Sequence, residues 1–118
     1  MGDLSLIKDI QQDKLSKEEL IKCLDIPHNY VLSNTILKIV RKGIKEDEVI
    51  EKLAKLKIYM KKENKLFGIE TVGHLAVAAL FALNSEKSIK KYIEIMSELS
   101  ECDKECIESI VKNKTFEV

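Results

Sequence analysis

Tryptophan is absent from this chain of 118 residues, proline occurs once and glycine four times. Residues that break helices are therefore scarce. Aromatic residues make up only 5% of the chain, and Leu, Ile, Lys and Glu dominate it, which favours an all-helical protein. The length suits one domain that buries a real core. The sequence thus predicts a single all-α domain over residues 1–118.

No apolar run is long enough to cross a membrane, which takes roughly 20 residues. The longest run, from Leu75 to Leu83, has nine residues, and four of them are alanine. Alanine is the best helix former, and a helix that is apolar on nearly every side must be covered on nearly every side. The sequence therefore predicts a buried helix over about 66–83.

An excess of charge of one sign is also missing, since 20 basic residues balance 20 acidic ones. The distribution is uneven: residues 38–65 carry ten Lys or Arg against five acids, and residues 94–118 carry seven acids against three Lys. The N-terminus has no charged and then apolar leader, so secretion is not expected. Three cysteines make a poor disulfide framework. Reduced thiols and a cytoplasmic location are expected.

Amphipathic segments account for most of the remaining chain. Ser16 and Glu19 form a capping-box pattern, Gly43 stands where a helix needs a left-handed residue at its end, and the tail after residue 113 is expected to be loose. Seven helices are predicted, over about 4–12, 16–24, 28–42, 46–60, 66–83, 86–99 and 101–113. Short connections between them imply antiparallel neighbours.

The apolar pattern repeats after 40 residues. A shift of that length superimposes two sets of positions: Leu32, Ile36, Ile39 and Val40 on Val72, Ala76, Ala79 and Leu80, and Val49, Leu53 and Leu56 on Ile89, Ile93 and Met96. A helix-hairpin repeat of this period is typical of α-solenoids. The chain here resembles the HEAT-repeat family over residues 26–99.

This resemblance implies a short HEAT-like α-solenoid. Residues 26–60 and 66–99 would be its clearest repeats, 4–24 a degenerate first pair and 101–113 a capping helix. The Asp and Arg ladder positions that often mark HEAT repeats find no match, so an ordinary helical bundle is the alternative. By analogy, the resemblance implies a non-enzymatic protein-binding module, and one such role is a bacterial immunity protein that neutralises a toxin. An adaptor subunit of a larger assembly is another.

Acidic side chains near the C-terminus offer one binding surface. They are predicted to form a ridge along the last two helices: Glu94, Glu98, Glu101, Glu105 and Glu108. Such a ridge can steer and hold a basic protein, for example a basic toxin domain. A solubilising cap is the alternative reading of the same residues.

The basic middle of the chain offers a second surface, which would bind nucleic acid as some HEAT-like DNA glycosylases do. Its candidates are Lys38, Arg41, Lys45, Lys52 and Lys55, the first three being predicted to share one helical face. However, only one of the 20 basic residues is Arg, the residue suited to bidentate phosphate contacts. A solvated face is favoured, so nucleic acid is not expected as the main partner.

Catalytic and metal-binding patterns find no support in the sequence. Cys102 and Cys106 lie one helical turn apart, but zinc needs more ligands at suitable spacing, so both are predicted to be buried, unreactive thiols. His74 is interpreted as a hydrogen-bonded histidine near a helix start, and His28 as a turn residue. No phosphate-binding loop, zinc-protease helix or nucleophile elbow is present. The sequence predicts no enzyme activity, no cofactor and no metal.

Overall fold

The computed structural model describes residues 3–66, 70–113 and 115–116, and within these ranges the protein is all-helical. No strand occurs there, apart from one isolated bridge between Lys65 and Thr71. Two short 3₁₀ turns, Leu56–Ile58 and Lys62–Asn64, follow the fourth helix. The helices are α1 (Asp3–Gln11), α2 (Lys17–Cys23), α3 (Asn29–Lys42), α4 (Asp47–Lys55), α5 (Val72–Leu83), α6 (Glu86–Met96) and α7 (Glu101–Lys112). The prediction of an all-α chain with seven helices is confirmed for these residues.

Side chains at the helix starts explain several of these boundaries. Ser16 accepts a hydrogen bond from the Glu19 amide, and Glu19 accepts one from the Ser16 amide, so the predicted capping box is present. Thr71 is the N-cap of α5 and Ser85 is the N-cap of α6, and each forms a capping box of the same kind. Such caps satisfy amides that have no partner within the helix.

The start of α5 differs from the prediction. The helix begins at Val72 instead of about residue 66, and residues 67–69 of the predicted segment lie outside the described residues. Thr71 adopts an extended conformation and caps the helix, while the Leu66 amide donates to the carbonyl of Glu70. Polar capping chemistry, which an apolar pattern does not reveal, therefore sets this boundary.

Helix α5 is the centre of the fold, as its composition predicts. Ten of its residues are buried, and it packs against α3, α4, α6 and α7. Gly73 permits close contact at one end, where its amide donates to the Tyr59 carbonyl over 2.8 Å. Small side chains thus let neighbouring helices approach α5 from several directions.

The other helices arrange themselves around α5 in a regular way. Helix α1 packs on α3, α3 on α5 and α5 on α7, while α4 packs on α6. The radius of gyration is 13.2 Å, close to the value of about 13.5 Å expected for a globular domain of this length. These contacts give a compact all-α body.

The C-terminal tail is partly anchored. Phe116 is buried in the main apolar core, and its carbonyl accepts a hydrogen bond of 3.2 Å from Nε of Arg41 on α3. The prediction of a loose tail is therefore wrong at Phe116. An isolated aromatic residue carries no periodic signal, although its apolar surface still favours burial.

Candidate functional site

An acidic face runs along α7. Glu101, Glu105 and Glu108 are exposed, and none of them forms an ion pair with a residue that the structure describes. Ser100 caps the helix by accepting a hydrogen bond from the Asp103 amide. Spacings of four and three residues place the three carboxylates on one side of the helix. We call these three residues the acidic face.

Glu94 of α6 and Glu98, which lies just beyond the end of that helix, are exposed as well, but both have lysines in their surroundings. Glu94 lines a cavity of 490 Å³ with three lysines of α6 and with Glu51 of α4. Glu98 lies 3.9 Å from Nζ of Lys57. Glu98 thus has a cationic partner and Glu94 lies among charges of both signs, whereas the three carboxylates of the acidic face pair with no described cation.

Apolar side chains lie at the surface near the acidic face, where Phe81 and Ile93 are exposed and Tyr92 is half-buried. The rings of Phe81 on α5 and Tyr92 on α6 pack in a tilted arrangement, with centroids 5.1 Å apart and an angle of 53° between their planes, and Ile93 follows Tyr92 on α6. Burial raises the pKa of the Tyr92 hydroxyl, and the charge of Glu108 raises it further. Glu108 therefore lies near Tyr92, which places the acidic face next to these residues. We call Phe81, Tyr92 and Ile93 the apolar patch.

Ile93 is the most unexpected member of this patch. It was predicted to point inward, because the 40-residue register pairs it with Leu53. Leu53 is fully buried, whereas 62% of the Ile93 surface is exposed. The inward side of α6 instead presents Ser88 and Ile95, which are both buried. The apolar pattern identified a face of α6 but not whether another helix covers it.

The basic candidates do not share one surface. Lys38 and Arg41 line a cavity of 290 Å³ between α1 and α3, whereas Lys52 and Lys55 line another, of 220 Å³, beside the end of α2. Lys52 is further held by Asp25, whose carboxylate lies 2.6 Å from its Nζ.

Lys45 also departs from its predicted place. Helix α3 ends at Lys42 with Gly43 in the left-handed conformation (φ 69°). Lys45 therefore lies in the following connection and does not continue the helical face of Lys38 and Arg41, so that part of the prediction is wrong.

The two cysteines of α7 have different environments. Cys106 is buried, and this burial, together with the negative charges of Glu70 and Asp103, raises its pKa to about 11. Cys102 is exposed, so the prediction that both thiols are buried is wrong for it. The apolar arc of α7 includes Cys106 and Ile110 but stops short of Cys102. The two thiols still line one cavity of 150 Å³, together with Glu70, Glu105 and Ser109.

His74 is buried and forms hydrogen bonds through both ring nitrogens. Its Nδ1 accepts from the Thr71 amide over 3.1 Å and lies 2.9 Å from the Thr71 hydroxyl. Its Nε2 lies 2.8 Å from Oδ1 of Asp103 on α7. Because Nδ1 accepts, Nε2 carries the proton and donates to Asp103. The interpretation of His74 as a hydrogen-bonded histidine near a helix start is confirmed.

The Asp103 partner was missed, because it lies 29 positions away in the sequence. Only the presence of an acid in the first turn of a neighbouring helix could have suggested it. His28 is the N-cap of α3 and accepts a hydrogen bond from the Val31 amide.

Metal ligands do not cluster in the described part of the chain, where no group of three or more His, Cys, Asp or Glu side chains could hold an ion. Within the same residues, no helix is long and apolar enough to span a membrane.

Comparison with known proteins gives no relative. No protein-family model matches this chain, and no curated protein or solved structure matches it. The likeness to HEAT repeats therefore rests on the apolar register alone, and the arguments for function rest on the surfaces described above.

Proposed function

We propose that this protein is a non-enzymatic binding module that holds a helix of another protein against the apolar patch and the acidic face. The exposure of Ile93 carries this proposal. Ile93 is a large aliphatic side chain, and its equivalent in the 40-residue register, Leu53, is fully buried. We therefore infer that a further helix covers Ile93 when the partner is bound. Burying such a side chain is worth about 1.5–3 kcal/mol.

The order of helix contacts supports a short HEAT-like solenoid as the scaffold. Consecutive odd-numbered helices contact one another, and α4 contacts α6, as in two stacked layers of hairpins. In such a stack, α6 is the last helix of its layer within the described residues. A partner helix on α6 would then occupy the place that α6 occupies on α4.

The charges on α7 define the chemistry of the partner. Three exposed carboxylates beside an apolar patch favour an amphipathic helix with an apolar stripe and Lys or Arg at its flank. A basic toxin domain neutralised in a bacterial cytoplasm satisfies this description. The immunity role is the most specific form of the proposal, and it rests on analogy with small HEAT-like proteins.

The test begins with affinity capture from the source cells and identification of the protein retained. Its affinity is then measured for wild type, for Ile93→Asp and for the triple reversal of Glu101, Glu105 and Glu108 to Lys. We expect Ile93→Asp to weaken binding by roughly 30-fold, as for a central contact worth about 2 kcal/mol. The triple reversal should mainly slow association, and more so at low salt.

A matched control reverses three exposed glutamates elsewhere, Glu18, Glu48 and Glu63. This variant should bind like the wild type. Equal binding by all variants would refute the proposed surface. DNA or RNA binding at physiological salt, lost only when Lys38 and Arg41 are changed, would refute the proposed function in favour of a nucleic-acid role. A toxic, basic partner would support the immunity role, and a non-toxic one would remove it.

A further inference from the structure

The cavity between α1 and α3 differs in charge from the other cavities. Its lining consists of Ile10, Gln11, Asn34, Leu37, Lys38 and Arg41, with two cations and no carboxylate among the described residues. Carboxylates line each of the other three cavities described above. We propose that this cavity binds a small organic anion, a carboxylate carried on a compact apolar body.

The cationic wall is partly fixed in place. Lys38 and Arg41 lie three residues apart on α3, which places them on the same side of the helix. Nε of Arg41 donates to the Phe116 carbonyl over 3.2 Å. This bond restrains the guanidinium through Nε, while its terminal nitrogens bond to none of the described residues. Guanidinium nitrogens are the donors that match a carboxylate in a planar, two-point contact.

The polar side chains of the lining are also held by hydrogen bonds. Nε2 of Gln11 donates to Oδ1 of Asn34 over 3.0 Å, and Nδ2 of Asn34 donates to the Tyr30 carbonyl over 2.7 Å. The first of these bonds ties α1 to α3 beside the cavity, and the second holds the Asn34 side chain against its own helix. A site whose walls are already positioned loses less conformational freedom when a ligand binds.

The nearest acid competes only weakly for the cations. Asp13 interacts with Lys38, but its carboxylate is already paired with Nζ of Lys42 at 2.8 Å. The Lys42 hydrogen bond, which is the main cause, lowers the pKa of Asp13 and keeps it charged. Its negative charge is therefore balanced by Lys42, and the field of Lys38 and Arg41 remains available to an incoming anion.

Size and lining define the rest of the ligand. A volume of 290 Å³ equals that of about ten liquid waters, each occupying roughly 30 Å³. The apolar part of the lining, its floor, consists of Leu37, which is half-buried, and Ile10, which is almost completely buried. Inorganic phosphate would leave this apolar floor empty, whereas one ring or a short branched chain would cover it.

The test titrates the full-length protein with sodium benzoate and follows backbone amide and methyl signals by NMR. We expect saturable shifts centred on Ile10 and Leu37. Arg41→Gln should weaken benzoate binding about tenfold or more, as expected when a hydrogen bond to a charged group is lost. Lys38→Met provides a second variant that leaves the Arg41–Phe116 bond intact and should also weaken binding.

Three controls make the outcome decisive. Lys45→Met removes an exposed cation that does not line the cavity and should leave the affinity unchanged. Benzamide, which lacks the charge, and inorganic phosphate, which lacks the apolar body, should both bind more weakly than benzoate. Absence of saturable benzoate binding, equal binding by Arg41→Gln and Lys38→Met, or phosphate binding as tight as benzoate would each overturn the proposal. The result is independent of the helix-binding surface, which lies on α5, α6 and α7.

Discussion

Buried polar side chains of this protein are all hydrogen-bonded within the described residues, and His74 shows how this is achieved. The amide of Thr71, the N-cap of the same helix, donates a hydrogen bond to Nδ1 of the ring, and Asp103 of α7 accepts one from Nε2. Hydrogen bonds to charged groups stabilise folded proteins by about 1.5–3 kcal/mol. This contact therefore fastens the start of α7 to the start of α5.

Asp103→Ala should lower the free energy of unfolding by about 1–3 kcal/mol, because it leaves the Nε2 proton of His74 without its acceptor. Asp103→Asn retains an acceptor oxygen and should lose less. Urea denaturation of both variants checks this. Glu101→Ala, on the exposed side of the same helix turn, is the control and should change stability by less than about 0.5 kcal/mol. An Asp103→Ala variant as stable as this control would contradict the assignment.

The three cysteines should react with a thiol reagent at different rates. Near pH 7, a thiol reagent should label Cys102 quickly and leave Cys106 unlabelled, since Cys106 is buried and its pKa is raised to about 11. The reactive thiolate of Cys106 should form only as the pH rises towards that value. Burial also raises the pKa of Cys23, which should react slowly too.

Mass spectrometry of the labelled protein over a pH series measures the reactive sites. Cys102→Ser should abolish the fast labelling, and all three thiols should react in urea. Rapid labelling of Cys106 at pH 7 without denaturant would contradict this prediction.

At the scale of the element, α5 combines strong helix propensity with very close packing. A Cβ added at Gly73 would lie 2.9 Å from the backbone carbonyl carbon and oxygen of Tyr59 and 2.6 Å from Cγ of Met60. The methionine side chain can move, but the backbone cannot without shifting the segment after α4. Glycine is thus required here for space and not for its backbone conformation.

Gly73→Ala should therefore destabilise the protein by about 1–3 kcal/mol through overpacking. Helix propensity alone predicts the opposite sign, a gain of about 1 kcal/mol, so thermal or urea unfolding distinguishes the two. Gly43→Ala is an instructive comparison, because nothing lies within 4 Å of the added Cβ but its φ is +69°. That variant should lose about 1–2 kcal/mol from backbone strain.

The sequence predicts the positions of the helices better than it predicts how the helices pack against one another. The periodicity identified all seven helices, and the alanine-rich run identified the buried one, because both signals are local. The exposure of Ile93 depends on whether another helix covers α6, and the His74–Asp103 contact depends on how α5 and α7 pack. Neither is encoded near those residues, which explains why the acidic face was found and the apolar patch beside it was missed.

At the scale of the whole molecule, the C-terminal segment reaches back to the end of α3. Phe116 is buried in the core, and its carbonyl accepts a hydrogen bond from Arg41 of α3. This bond links residues that are 75 positions apart in the sequence. The end of α7 is thereby connected to α3 as well as to α5.

Phe116→Ala should lower the free energy of unfolding by about 3 kcal/mol, the lower part of the range for a buried aromatic. Hydrogen exchange should show faster opening at the ends of both α3 and α7. Lys112→Ala provides a control on a nearby exposed residue of α7 and should have a much smaller effect. A loss below about 0.5 kcal/mol for Phe116→Ala would mean that the tail does not contribute to the core.

The connection between α5 and α6 has a kinetic consequence. Asn84, in the left-handed conformation (φ 54°), ends one helix and Ser85 caps the next, so only two residues separate them. The entropy lost in closing so short a loop is small, and we expect this hairpin to form early in the folding transition state. Substitutions at Asn84 should then mainly slow folding, whereas substitutions in α7, which docks later, should mainly speed unfolding.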